Sequence, residues 1–168
     1  HEDWLGCDLE QIGVEKAGIL RQNQVFVAGS DLPASVFRIS SSLACDVRRA
    51  GEHFGWSLNS SALLENMWVQ FNGEEISSSR VPALRVPPNN ILIALQVISE
   101  VYSVLELSDS ACFPFERLQS SFNNASLPGR LEKVSHQYPV FLDVGHNPHA
   151  AEYLNAFLKT YSKAGYDV

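Results

Sequence analysis

The sequence predicts an α/β fold, on three observations. Short apolar strands alternate with turns and helices towards both ends of the chain, and a run of β-like pieces lies between them. A long helix with apolar residues at helical spacing follows Pro87-Pro88. Alternation of that kind reads as strand–helix–strand units more readily than as an all-helical or all-strand chain.

The first element is predicted as a helix from Asp8 to Leu20. Asp8 can cap it, Gln11 stands three residues later as in a capping box, and Leu9, Ile12, Ile19 and Leu20 form an apolar stripe. A strand follows at Val25 to Ala28, closed by Gly29, and Pro33 suits the start of a helix running to Ala50. From His53 to Ile76 the pattern is β-like, with Trp68, Val69 and Phe71 leading into an Asn72-Gly73 hairpin turn. The long helix then carries Ile91, Leu92, Leu95, Ile98, Val101, Tyr102 and Leu105 on its apolar side, and Gln96, Ser99, Glu100 and Ser103 on its polar side. A short helix is expected from Pro114 to Phe122, after a looser loop from Ser108 to Phe113. Leu127-Pro128-Gly129-Arg130 reads as a linker. Beyond it come a strand at Val140 to Val144, a turn at Gly145 to Pro148 and a helix to Tyr161. The domain boundary is accordingly set at residues 126/127, giving segments 1–126 and 127–168, the second too short to fold alone.

Composition narrows the function classes. Twelve Lys and Arg against nineteen Asp and Glu leave a net charge of −7, which speaks against nucleic acid or an anionic membrane as partner, because both need clustered cations. With 45% hydrophobic and 18% charged residues the chain reads as globular, and its most apolar stretch, 91–107, is interrupted by Gln96, Ser99, Glu100 and Glu106. Cys7, Cys45 and Cys112 are odd in number and in no C-x-x-C pair, so neither a disulfide framework nor a zinc site is indicated, and a cytoplasmic location is expected.

Two places could carry chemistry. Lys16 falls within the apolar stripe of the first helix. A lysine there can pack its stem and reach water with its ammonium. Alternatively, desolvation can leave a neutral amine that reacts with carbon dioxide, and the carbamate would bind a hard cation through oxygen. The second place is Asp143-Val144-Gly145-His146-Asn147-Pro148-His149, where an apolar strand ends in a carboxylate followed by a glycine turn and a helix start. By itself this is a helix-capping loop with Asn147 as cap. It is also where open α/β sheets bind ligands, and where a carboxylate can take a ribose hydroxyl.

Four runs, in order, resemble the signatures of the folylpolyglutamate synthase/dihydrofolate synthase family, which is similar to the Mur ligases. They are His1-Glu2-Asp3-Trp4-Leu5-Gly6, Ile12-Gly13-Val14-Glu15-Lys16-Ala17-Gly18-Ile19, Leu127-Pro128-Gly129-Arg130, and Leu142-Asp143-Val144-Gly145-His146-Asn147-Pro148-His149-Ala150-Ala151. The segment Gly29 to Val86 matches only in general character.

The resemblance implies the second half of a Mur-ligase-type P-loop ATPase central domain, followed by the start of a Rossmann-like C-terminal domain. It implies that His1 and a carbamylated Lys16 bind magnesium, two ions in all. It further implies that Asn90 meets adenine, that Arg130 meets the ATP phosphates and acts catalytically, and that Asp143 meets the nucleotide with His146 nearby. Asn89 is one residue out of register for the adenine role. Gly145 stands where the family usually has Ala, a difference of one methyl group.

The implied reaction is ATP-dependent addition of L-glutamate to dihydropteroate and to tetrahydrofolate. The folate carboxylate attacks the γ-phosphate to give an acyl phosphate, and the glutamate amine displaces phosphate. Cations are needed where those negative oxygens meet. The run G-x-x-x-x-G-K-S/T is absent from these 168 residues. The expectation is an internal fragment, inactive alone, of a protein monomeric at full length. A Mur-type peptide ligase and a non-catalytic nucleotide-binding module are the alternatives.

Overall fold

Asp8, in extended backbone, accepts a hydrogen bond from the Glu10 N–H at 3.0 Å and caps the first helix, α1 (Leu9–Ala17). The capping residue is as expected, but the helix ends three residues before Leu20. The computed structural model describes residues 8–58, 64–79, 86–105, 121, 127–135, 140–146 and 148–163. The helix expected at Pro114 to Phe122, the loop at Ser108 to Phe113 and the cap at Asn147 therefore lie outside the described residues, Ser121 apart.

Strand β1 (Val25–Ala28) leads to α2 (Ala34–Ser42), with Pro33 just outside it. The expected continuation of α2 to Ala50 is incorrect. Ala44 takes φ +51°, the chain turns, and Asp46–Arg49 forms β2, parallel to β1 with Val25 opposite Asp46 and Ala28 opposite Arg49. A polar strand of sequence Asp-Val-Arg-Arg has no apolar alternation to distinguish it from a helix end. β1, α2 and β2 form a strand–helix–strand unit.

An antiparallel sheet follows, in the order β3 (Phe54–Leu58), β4 (Leu64–Phe71), β5 (Glu74–Ser78). Its β4–β5 turn is the expected Asn72-Gly73, with φ of +51° and +80° as the twisted two-residue hairpin requires. Helix α3 (Pro88–Val104) lies on this sheet, and Phe54, Met67, Val69, Ile91, Leu92 and Leu95 make the main buried cluster.

The face assignment of α3 needs correction. Gln96 and Ser99 are buried, whereas Val101 and Leu105 are exposed. Gln96 donates from Nε2 to the Gln70 carbonyl and accepts from the Gln70 N–H through Oε1, both at 3.0 Å, and the Ser99 hydroxyl donates to the same carbonyl. Those bonds let α3 bury polar side chains against β4. Glu100 accepts from Arg48 Nε at 2.6 Å and from Gln96 Nε2 at 2.8 Å, tying β2 to the helix.

A smaller cluster of Ala17, Leu20 and Val36 joins α1 and α2 over β1. Beyond the linker, β6 (Glu132–Lys133) pairs antiparallel with β7 (Phe141–Leu142), and α4 (Pro148–Lys163) packs on β7 through a T-shaped Phe141–Phe157 contact with centroids 5.1 Å apart. Among the described residues no helix is long and apolar enough to cross a membrane.

Candidate functional site

Helix α3 begins with Pro88, whose missing N–H costs a first-turn position nothing, and so presents two adjacent carboxamides, Asn89 and Asn90. Asn89 is engaged at both ends. Its Oδ1 accepts from the indole N–H of Trp56 on β3 at 2.8 Å, and its Nδ2 donates to Ser30 Oγ at 3.4 Å. Asn90 is exposed, with no side-chain partner among the described residues.

The linker is a tight turn in which Arg130 N–H donates to the Leu127 carbonyl at 3.0 Å. Gly129 takes φ +67°, where an L side chain is strained, and its carbonyl accepts from the Val144 N–H at 2.8 Å. Leu131 is buried and also left-handed, at φ +44°. It is held there by Asp143, whose Oδ2 accepts from the Leu131 N–H at 2.9 Å while Oδ1 accepts from the Gly145 N–H at 2.7 Å. One carboxylate thus fastens the linker to the turn after β7 and leaves the Arg130 side chain exposed. Position 145 is tighter than one methyl group suggests. A Cβ on Gly145 would lie 2.8 Å from Asp143 Oδ1 and 2.9 Å from the Ala150 Cβ.

These two pieces face one cavity of about 630 Å³, lined among others by Trp56, Asn89, Asn90, Arg130, Asp143 and Tyr153, a size suited to a small-molecule site. Burial, and secondarily the charge of Asp143, pushes the Tyr153 phenol above its ordinary value, so it stays a neutral hydroxyl at physiological pH. The cavity therefore offers a free carboxamide, a guanidinium able to take phosphate oxygens in a planar fork, a carboxylate with spare lone pairs, and an aromatic wall.

Three of the expected site residues, Asn90, Arg130 and Asp143, come together here. His146 does not line the cavity; it is exposed, with Nδ1 3.0 Å from the Val144 carbonyl. Lys16 is also exposed and meets Glu15 at 3.5 Å, which corrects the apolar-stripe reading. The buried side of α1 is Gly13 and Ala17, continued by Leu20, whereas Leu9 and Ile19 are 72% and 75% exposed. Small residues allow α1 and α2 to approach closely, and that approach, not the largest side chains, sets the buried face. His1 lies outside the described residues, among which no three His, Cys, Asp or Glu side chains cluster as a metal site. Trp56 and Tyr153 had no motif to mark them, and Asn89 stood one residue out of register for the adenine role.

No protein-family model matches the chain. Curated relatives do. The dihydrofolate synthase/folylpolyglutamate synthase of Escherichia coli is 33% identical over 166 residues, covering 98% of this chain and 36% of that protein. The protein of the same name from Buchnera aphidicola of Schizaphis graminum is 32% identical over 156 residues, covering 92% and 34%. The chain thus spans about a third of the length of the curated relatives it matches. Among solved structures, the E. coli protein in complex with DHPP and ADP superposes with a TM-score of 0.71 at 28% identity, over 95% of this chain and 36% of that one. The Yersinia pestis bifunctional enzyme complexed with AMPPNP and Mn ion gives 0.70 at 32% identity, over the same shares. A point mutant of L. casei FPGS, at 22% identity and 0.67, shows the shared fold. On sequence and backbone alike, nearly the whole of this chain is similar to about a third of the length of the dihydrofolate synthase/folylpolyglutamate synthase proteins.

Proposed function

We propose that the chain is part of an ATP-dependent, ADP-forming ligase that adds L-glutamate to dihydropteroate and to tetrahydrofolate through an acyl phosphate. The observation that carries this reading is the convergence of Asn90, Arg130 and Asp143 on one cavity. In the proposed arrangement Asn90 reads the adenine edge, Asp143 takes ribose or nucleotide oxygens, and Arg130 neutralises the phosphates as charge moves between them. His146, on the turn beside Asp143, would approach the nucleotide from outside the cavity. Residues 1–126 would be the later part of the ATP-binding domain and residues 127–168 the linker and the beginning of the next domain.

The family's divalent metal would be held by His1 and a carbamylated Lys16, two ions being the expected number. The exposure of Lys16 leaves its amine accessible to carbon dioxide. Magnesium, when bound, would screen the meeting of carboxylate and γ-phosphate. A monomer in the cytoplasm is the proposed setting.

The test is an assay of a full-length polypeptide containing these residues with ATP, L-glutamate and either dihydropteroate or a UDP-muramyl substrate. ADP and an amide product are expected with dihydropteroate; turnover with the muramyl substrate alone would replace this reading by the cell-wall one. Without a phosphate loop in its 168 residues, the chain by itself is expected to bind nucleotide and form no product.

A further inference from the structure

Trp56 lies between two cavities. It lines the one containing Asn90, Arg130 and Asp143, and it also lines an adjoining space of about 400 Å³ at the ends of β1 and β2, bounded by Ser30, Asp31 and Trp68. Asn89 is the other residue shared by both. The indole is fixed in place, since its N–H is donated to Asn89 Oδ1 at 2.8 Å and its ring packs against the main buried cluster. A rigid aromatic wall beside a free carboxamide is the combination that recognises a heteroaromatic base, stacking supplying affinity and the amide reading the edge.

We propose that Trp56 is the base-stacking residue of this site, and that its bond to Asn89 leaves Asn90 as the one cavity-lining carboxamide among the described residues available to the base. The inference rests on the nucleotide reading above and goes beyond it. Asn89 is held by Trp56 and Ser30, so it has little capacity left for a ligand; Asn90, one residue along, has its side-chain donors and acceptor free among the described residues. The adjacent asparagines are thereby divided between a positioning role and a binding role. Substituting Trp56 then acts twice, by removing the stacking face and by releasing Asn89 to compete.

The experiment titrates adenosine, then ATP, into the 168-residue chain, read by saturation-transfer NMR and by tryptophan fluorescence, with circular dichroism as the check on folding. Adenosine is expected to quench the fluorescence of the unsubstituted chain. Trp56→Leu should weaken adenosine binding about tenfold, the scale of one lost base–aromatic stack. Trp56→Phe, which keeps a ring but loses the N–H, should weaken it less and remove most of the quenching, Trp4 and Trp68 remaining. A folded Trp56→Leu chain that binds adenosine undiminished, or quenching that is undiminished in Trp56→Phe, overturns the assignment. If Trp56→Leu fails to fold, the Phe variant decides. Asn90→Ala and Asp143→Ala separate the two levels: if they weaken binding while the Trp56 variants do not, only the stacking role falls, whereas an unsubstituted chain that binds no adenosine removes the nucleotide reading and this inference together.

Discussion

Glu10 shows how one side chain can organise a helix that is not its own. Pro33 gives α2 no side-chain cap, and Glu10 on α1 takes its place, accepting from the Ser35 N–H at 2.7 Å and the Ala34 N–H at 3.0 Å, with Arg38 Nη2 at 3.2 Å. The Ser35 backbone bond, foremost, holds the Glu10 carboxyl below its ordinary value of 4.5. A carboxyl lowered in the folded state stabilises fully above that value, and the contribution disappears as pH falls through the lowered one. Thermal unfolding should therefore lose stability below pH 4.5 in the unsubstituted chain and less steeply in Glu10→Gln, which should already melt lower at pH 7. At Gly145, Ala should cost about 1–3 kcal/mol in a denaturant titration by crowding Asp143 and Ala150. In the full-length enzyme, Lys16→Ala is expected to lose most turnover and to be partly rescued by a short-chain carboxylic acid; undiminished turnover would count against the carbamate. Asp143 stood out in the sequence because a carboxylate ends an apolar strand before a glycine turn, whereas Asn90 and Arg130 were marked only by the resemblance of their motifs. Glu10 and Trp56 were not marked at all, because their partners lie 24 and 33 residues away.

Among the elements, α3 was the easiest to locate and the hardest to orient. Its length and Pro start were legible, but a helical wheel assigns Gln96 and Ser99 to water, while β4 supplies the Gln70 carbonyl and N–H that let both be buried. Gln96→Ala should cost about 1–3 kcal/mol in a denaturant titration, because it removes the Gln70 N–H's partner in a buried place. A cost near zero would mean that water replaces the amide. Strand β2 was misread for the complementary reason. Its short, charged sequence carries no strand pattern, and only pairing with β1 makes it one.

Over the whole molecule, the two-stranded parallel sheet leaves an apolar groove beside β1, lined by Ile19, Val25, Val97, Val101, Val104 and Leu105. Parallel sheets are ordinarily covered on both faces, so this surface is unusual for water contact. The chain should enhance the fluorescence of an apolar dye such as ANS, and a Val101→Lys, Val104→Lys double variant should reduce that enhancement while leaving the circular dichroism unchanged; equal enhancement in the variant would place the apolar surface elsewhere.

By itself the sequence determined the α/β class, the hairpin at Asn72-Gly73 and the start of the long helix, because each depends on local spacing or on side-chain type. Tertiary structure alone decided that α1 turns small residues inward and leaves Lys16 in water, that Gln96 is core, and that Asp143 ties the linker to β7 so that Arg130 and Asn90 line one cavity. Such outcomes depend on which backbone groups and surfaces meet across long separations in the chain, and pairing of that kind has no signature in any single stretch of residues.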